Sequence, residues 1–167
     1  ILDHPEVFGN PEVRIKDIQS DSRKVTEGTL FVAVKGTAVD GHAFIEGAIA
    51  KGAVAVLCEE VPDMPESSAV IIAVKDSAEA LGLVLSEWYG RPSEKLTLVC
   101  VTGTNGKTTI ATLLYEMFRI MGHKVGLIST VCNYIDDMAV PTEHTTPDPH
   151  TLQELMARMV EAGCSYA

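Results

Sequence analysis

Residues 102–109 read Thr-Gly-Thr-Asn-Gly-Lys-Thr-Thr and bring two glycines, a lysine and several hydroxyls into one short stretch. That combination suits the holding of nucleotide phosphates. Gly103 and Gly106 allow the backbone to approach an anion closely. Lys107 can reach β- and γ-phosphates, and the Thr108 hydroxyl is placed to ligate Mg²⁺. The spacing departs from the general G-x-x-x-x-G-K-[ST] form: Val101 stands where that form has its first glycine, which leaves G-x-x-G-K-T. The plain alternative is a glycine turn that happens to contain a lysine.

The flanking residues decide between these readings. Leu96-Thr97-Leu98-Val99-Cys100-Val101 is an apolar run of the kind that forms a buried strand. Beyond the loop, Leu113, Leu114, Met117, Phe118 and Met121 recur at helical spacing and predict one apolar helix face. Strand, glycine-bearing loop and helix together make an anion site. The first N–H groups of the helix have no acceptor within it, and the positive end of its dipole lies behind them.

Elsewhere the chain alternates between strand-like and helical stretches. Phe31–Val34, Ala53–Leu57 and Val70–Val74 predict strands; His42–Lys51 and Asp76 or Ser77 to Tyr89 predict helices, the second burying Ala80, Leu81, Val84, Leu85 and Trp88. Gly90-Arg91-Pro92-Ser93 breaks the pattern and sets a boundary between residues 1–92 and 93–167. After the loop helix, Val125–Ile128 predicts the next parallel strand, Val131–Ile135 and Met138–Val140 a hairpin, and His150–Ala162 a last helix. Such alternation argues for an α/β fold, a parallel sheet covered by helices.

Composition narrows the function classes. The 167 residues are 46% hydrophobic and 22% charged, which is ordinary for a soluble globular chain. A formal net charge of −10 argues against nucleic acid or an acidic membrane as partner, while leaving nucleotide binding open. Apolar runs such as Ala69–Val74 are far too short to span a membrane. Cys58, Cys100, Cys132 and Cys164 form no C-x-x-C pair and mostly sit in apolar runs, as reduced core thiols of a cytoplasmic protein would. His144 and His150 flank Asp148 without a standard zinc spacing. The chain has no initiating Met and closes on what reads as a helix stop and the start of another strand, so a longer protein is expected.

Three blocks of residues resemble the Mur ligase family. The first comprises Asp21-Ser22-Arg23-Lys24-Val25, Gly28, Leu30–Ala33, Gly36, Asp40-Gly41, Phe44, Ala48 and Gly52-Ala53. It is similar to that family's amino-terminal UDP-binding domain. The phosphate loop is the second, in the family's own shortened spacing. Thr142-Glu143-His144-Thr145-Thr146-Pro147 is the third, similar to the stretch that meets the muramoyl end of the nucleotide substrate. The first block separates this chain from folate-linked relatives of the same loop.

The resemblance implies a small amino-terminal α/β domain with a mixed sheet, binding the UDP substrate. The beginning of a P-loop-type, parallel-sheet ATP-binding domain follows. It implies ATP and Mg²⁺ as cofactors, and as partners a UDP-muramoyl peptide and an amino acid, diaminopimelate or lysine. Gly103, Thr104, Asn105, Gly106, Lys107, Thr108 and Thr109 would hold ATP, with Lys107 as the catalytic cation and Thr108 on the metal. Ser22, Arg23, Thr37, Ala38, Val39, His144, Thr145 and Thr146 would hold the UDP-muramoyl substrate. A carboxylate would be phosphorylated by ATP and the resulting acyl phosphate displaced by an amine. A magnesium-binding glutamate, a modified lysine and the amino-acid domain would lie beyond Ala167, so this chain should bind and not turn over.

The residues themselves leave alternatives open. Taken without the resemblance, Asp21-Ser22-Arg23 is more readily a surface turn with local capping than a nucleotide contact. The Gly36–Gly41 segment is equally a loop before a helix capped by Asp40. Thr145 and Thr146, ahead of a proline, also suit a cap. A P-loop kinase, a neighbouring Mur ligase and a nucleotide-binding module without activity remain the competing classes.

Overall fold

The computed structural model describes residues 2–36, 39–63, 68–141 and 147–167. Contacts divide the chain into two compact units, Ile1–Val84 and Leu85–Ala167, a few residues ahead of the Gly90–Ser93 break.

The first unit is built on a five-stranded mixed sheet, β1 (Glu6–Phe8), β2 (Asp17–Gln19), β3 (Thr29–Val32), β4 (Ala55–Cys58) and β5 (Val70–Ala73), in the order β1-β5-β4-β3-β2. Strands β2 to β5 run parallel, and β1 joins β5 antiparallel with Val7 opposite Ile72. All four residues of β3 and of β4 are buried, as expected for central parallel strands covered on both faces. The two outer strands β1 and β2 carry no strong sequence signal: each is three residues long, and every residue of β1 is exposed.

Between β3 and β4 the chain makes a 3-10 turn (Gly41–Phe44) and α1 (Ile45–Ala50), where one longer helix was expected. Ile45 and Ala48 point into the core beside Phe31, Val56 and Ile71. The tighter first turn follows from Asp40, whose carboxylate accepts the His42 N–H at 2.9 Å and fixes the start. Helix α2 (Ser77–Trp88) is capped by Asp76, which accepts from the N–H groups of Ala78 and Glu79. Its buried apolar residues are Ala80, Leu81 and Leu85, while Trp88, expected to face inward, is exposed.

In the second unit, α3 (Pro92–Lys95) leads into the run 96–101, and α4 (Lys107–Ile120) follows the loop. Strands β6 (Gly126–Leu127), β7 (Asn133–Ile135) and β8 (Met138–Val140) form an antiparallel sheet that contains the expected hairpin. The parallel component lies at the chain's end. Tyr166 bridges Thr97 on one side and Val125 on the other, both in parallel, so residues 165–167 sit between the 96–99 run and β6. The expected buried strand 96–101 is therefore bonded along one edge. Leu96 is buried but Leu98, Val99 and Cys100 are exposed, because a strand is buried on both faces only when elements cover both.

Helix α4 turns only part of the expected face inward, with Tyr115 at the centre. Tyr115 is buried, packed with Ala111 and Phe118 against Val125 and Leu127. Its hydroxyl donates to the Asp136 carbonyl at 2.7 Å, and its ring stacks on Tyr134. Leu113, Met117 and Met121 are exposed instead. Leu114 and Phe118 of the expected set are half-buried beside Tyr115, so the inward face overlaps the predicted one and is rotated toward Tyr115. Helix α5 (Pro149–Glu161) is capped by Asp148 and buries Leu155, Met156 and Met159, with Leu152 half-buried against them.

Two of the four cysteines are buried core thiols, Cys58 and Cys164, and burial pushes Cys58 up to about 11. Cys100 is exposed, unlike the core thiol expected there. Among the described residues, no helix is long and apolar enough to cross a membrane.

Candidate nucleotide-binding site

The phosphate loop is shaped by its glycines. Gly106 is the residue ahead of α4 and has φ +79°, while Gly103 has φ +145°. Any side chain at those angles would be strained, costing about 1–2 kcal/mol in the left-handed region. A Cβ on either glycine would meet no atom closer than 3.8 Å, so φ rather than crowding demands glycine, and space is left beside the backbone. No side chain caps α4. The N–H groups of Lys107, Thr108 and Thr109 are therefore available at the positive end of a 14-residue helix.

Lys107 folds over the same loop. Its Nζ donates to the Gly103 carbonyl at 2.6 Å and to the Thr104 carbonyl at 3.3 Å. The ammonium thus stands in the mouth of the loop, where it can exchange these neutral acceptors for anionic oxygens. Thr108 Oγ1 faces Thr130 Oγ1 at 3.4 Å. Thr130, just past β6, escaped the sequence reading, because only the pairing of β6 beside residues 165–167 brings it opposite the loop. The donor set of backbone N–H groups, one ammonium and two hydroxyls fits a magnesium-bound polyphosphate. A cavity of about 470 Å³ opens beside the loop, walled mainly by apolar residues such as Leu98, Leu114 and Phe118. Its polar lining includes Lys107, Thr108, Ser129 and Thr130.

In the first unit the predicted residues follow the parallel strands, the usual place for ligands of an open α/β sheet. Ser22 and Arg23 lie in the turn after β2. Arg23 is engaged locally: its Nη2 donates to Asp21 Oδ2 at 2.7 Å and its Nε to Oδ1 at 2.9 Å. The Asp21 carboxylate also accepts the Arg23 backbone N–H at 2.9 Å. Hydrogen bonding from the guanidinium holds Asp21 well below the usual carboxylate range and pushes Arg23 up. The capped-turn reading is thus realised, although a guanidinium has five N–H groups and this pair uses two. The Ser22 carbonyl accepts from Lys51 Nζ at 2.7 Å, a cation the sequence reading did not single out.

Val39 is exposed in the turn after β3. Thr37 and Ala38, and likewise His144, Thr145 and Thr146, lie outside the described residues.

Comparison with known proteins covers both units. A family model described as "Mur ligase family, catalytic domain" matches residues 14–89, and "Mur ligase middle domain" matches residues 101–167. The chain is 71% identical over 166 residues to a UDP-N-acetylmuramoyl-L-alanyl-D-glutamate–2,6-diaminopimelate ligase of Parabacteroides distasonis, covering 99% of this chain and 34% of that protein. The ligase of the same name from Bacteroides fragilis is 57% identical, with 96% and 33% covered. The chain thus spans about a third of the length of these relatives. A solved structure of a ligase of that name superposes with a TM-score of 0.71 at 27% identity, over 92% of this chain and 31% of the other. The MurF ligase of Thermotoga maritima, solved with ADP, gives 0.54 at 29% identity over 87% and 29%.

Proposed function

Because the chain belongs to the Mur ligase family, we propose that it forms the nucleotide-substrate unit and the ATP loop of an ATP-dependent amide ligase. The whole protein would join 2,6-diaminopimelate to UDP-N-acetylmuramoyl-L-alanyl-D-glutamate, the compounds named in its relatives from Parabacteroides distasonis and Bacteroides fragilis. Residues 1–92 are assigned to the UDP substrate and residues 93–167 to ATP. The protein would act in the cytoplasm, in the synthesis of a peptidoglycan precursor.

One observation carries the reading most strongly: an uncapped 14-residue helix opens on Gly106, with Lys107 Nζ held 2.6 Å from the Gly103 carbonyl. In this assignment the N–H groups from Asn105 to Thr109 cradle the phosphates, and Lys107 balances charge on the group being transferred. Thr108 offers a hydroxyl to Mg²⁺, which would add positive charge at the phosphates when bound with ATP. Phosphorylation turns a carboxylate, a poor electrophile with no good leaving group, into an acyl phosphate that an amine can displace. The task of these residues is alignment and charge stabilisation rather than covalent chemistry. Ser22 and Arg23 would contact the diphosphate, Thr37, Ala38 and Val39 the uracil end, and His144, Thr145 and Thr146 the muramoyl end.

Calorimetric titration of the 167-residue chain tests the assignment. Mg-ATP and UDP-N-acetylmuramoyl-L-alanyl-D-glutamate are expected to bind independently, one equivalent each. Binding of GTP in place of ATP, or of simple phosphate acceptors in place of the UDP compound, would favour a kinase-type nucleotide protein and sink this reading.

A further inference from the structure

We infer that His42 is a positioning residue for the nucleoside end of the UDP substrate, a step that rests on the assignment of the first unit proposed above. The turn after β3 is drawn tight by its own backbone. Gly41 N–H donates to the Val34 carbonyl at 2.9 Å, Gly36 N–H reaches the Val39 carbonyl at 3.2 Å, and Lys35 and Asp40 form an antiparallel bridge. Gly41 is required by close approach, since a Cβ there would stand 2.7 Å from the Val34 oxygen. The first end of this segment is joined to the β4 side by the Ala33 N–H, which donates to the Leu57 carbonyl at 2.8 Å, and by Lys35 Nζ, 3.6 Å from Glu60 Oε1.

His42 joins the second end to the same side. Its Nδ1 lies 2.6 Å from Asp40 Oδ1, and its Nε2 accepts the Glu59 N–H at 2.9 Å, with the Glu60 N–H at 3.4 Å. A backbone N–H can only donate, so Nε2 is the acceptor and the ring proton sits on Nδ1, donated to Asp40. The side chain is only 15% exposed. Glu59 is itself anchored, because its Oε1 accepts from Ser77 N at 3.0 Å and from Ser77 Oγ at 2.8 Å at the start of α2. The imidazole therefore ties the end of the β3 turn to the backbone leaving β4, at the carboxyl ends of two neighbouring parallel strands. That edge is where an open α/β sheet takes its ligands. Val39, 59% exposed one residue ahead of Asp40, is the apolar surface so positioned, suited to the flat face of a base or sugar.

The test is calorimetric affinity of the 167-residue chain for UDP-N-acetylmuramoyl-L-alanyl-D-glutamate, beside the melting temperature of each variant. Losing the hydrogen-bonded clasp in H42A should weaken binding about tenfold, the factor set by roughly one hydrogen bond. D40A removes the other end together with the cap on the His42 N–H, so its loss should be at least as large, with the double variant no weaker than D40A alone. Glutamine, whose carbonyl can take the Glu59 N–H, should restore most of the affinity in H42Q. Mg-ATP affinity should stay unchanged throughout. H42A binding as tightly as wild type overturns the inference alone. So does an equal loss in H42A and H42Q that tracks the fall in melting temperature, which would make the ring a packing element. Absence of binding by the wild-type chain removes the assignment of the first unit, and this inference with it.

Discussion

The two candidate binding regions differ in how their polar groups are spent. At the phosphate loop the donors are held ready: the helix N–H groups have no cap, and Lys107 rests on neutral carbonyls it can leave. In the first unit the donors are already partnered. Arg23 grips Asp21, and His42 bridges Asp40 to Glu59. A phosphate group carries enough charge to be caught by a backbone cradle and one cation. A nucleoside carries little, so its recognition depends on a rigid edge, and partnered side chains supply rigidity. The contrast can be broken or sharpened by substitutions that remove one kind of group at a time.

The largest effect is expected at Lys107. K107A takes away the cation that touches the loop carbonyls and should weaken Mg-ATP binding about a hundredfold, the scale of a charge-assisted contact worth roughly 3 kcal/mol. Affinity for the UDP substrate should not change. Calorimetry with both ligands checks this, and an equal loss on both would dissolve the contrast between the regions. G106A comes next. An alanine held at φ +79° is strained by about 1–2 kcal/mol, so ATP affinity should fall about tenfold and the loop N–H groups should exchange faster with solvent.

These two residues also show what was legible in the sequence. The loop's chemistry comes from backbone shape, and backbone shape is written in glycine spacing and in the strand and helix around it. The clasp at His42 is not written that way. His42 and Glu59 are 17 residues apart, and only the β3–β4 register brings them together. Arg23 is a different case: the acceptor it meets is two residues away, so its local pairing with Asp21 is set within the turn itself. Helix α4 was partly legible: Leu114 and Phe118 of its periodic set are half-buried, but Tyr115, buried and stacked on Tyr134, lay outside that set.

A smaller effect is expected at the Asp21–Arg23 pair. If Arg23 lends its free N–H groups to the diphosphate, R23A should cost about threefold to tenfold in affinity for the UDP substrate. The pair also has a signature independent of ligand. Asp21 has a depressed folded pKa, so the ionic turn is present above the ordinary aspartate value and is lost only as pH falls through the lower folded value. Carboxyl chemical shifts should show Asp21 titrating well below the usual range in wild type and returning toward it in R23A. Titration in the usual range in both proteins would show that the turn is not held by this pair.

The smallest effect is expected at Thr130, and it bears on whether the loop is complete within its own segment. The 3.4 Å between Thr108 Oγ1 and Thr130 Oγ1 is long for a hydroxyl–hydroxyl bond, which is commonly 2.5–3.0 Å. Two hydroxyls at that separation hold each other weakly and leave lone pairs for a third group. T108A should reduce ATP affinity only when magnesium is present, because its hydroxyl is assigned to the ion. T130V preserves shape while removing the facing oxygen, and should reduce the same magnesium-dependent part by about threefold or less. A loss in T130V as large as in T108A, absent when magnesium is chelated, would place Thr130 on the ion as well. The second region would then share with the first the device of a residue brought in by sheet pairing from outside the local motif.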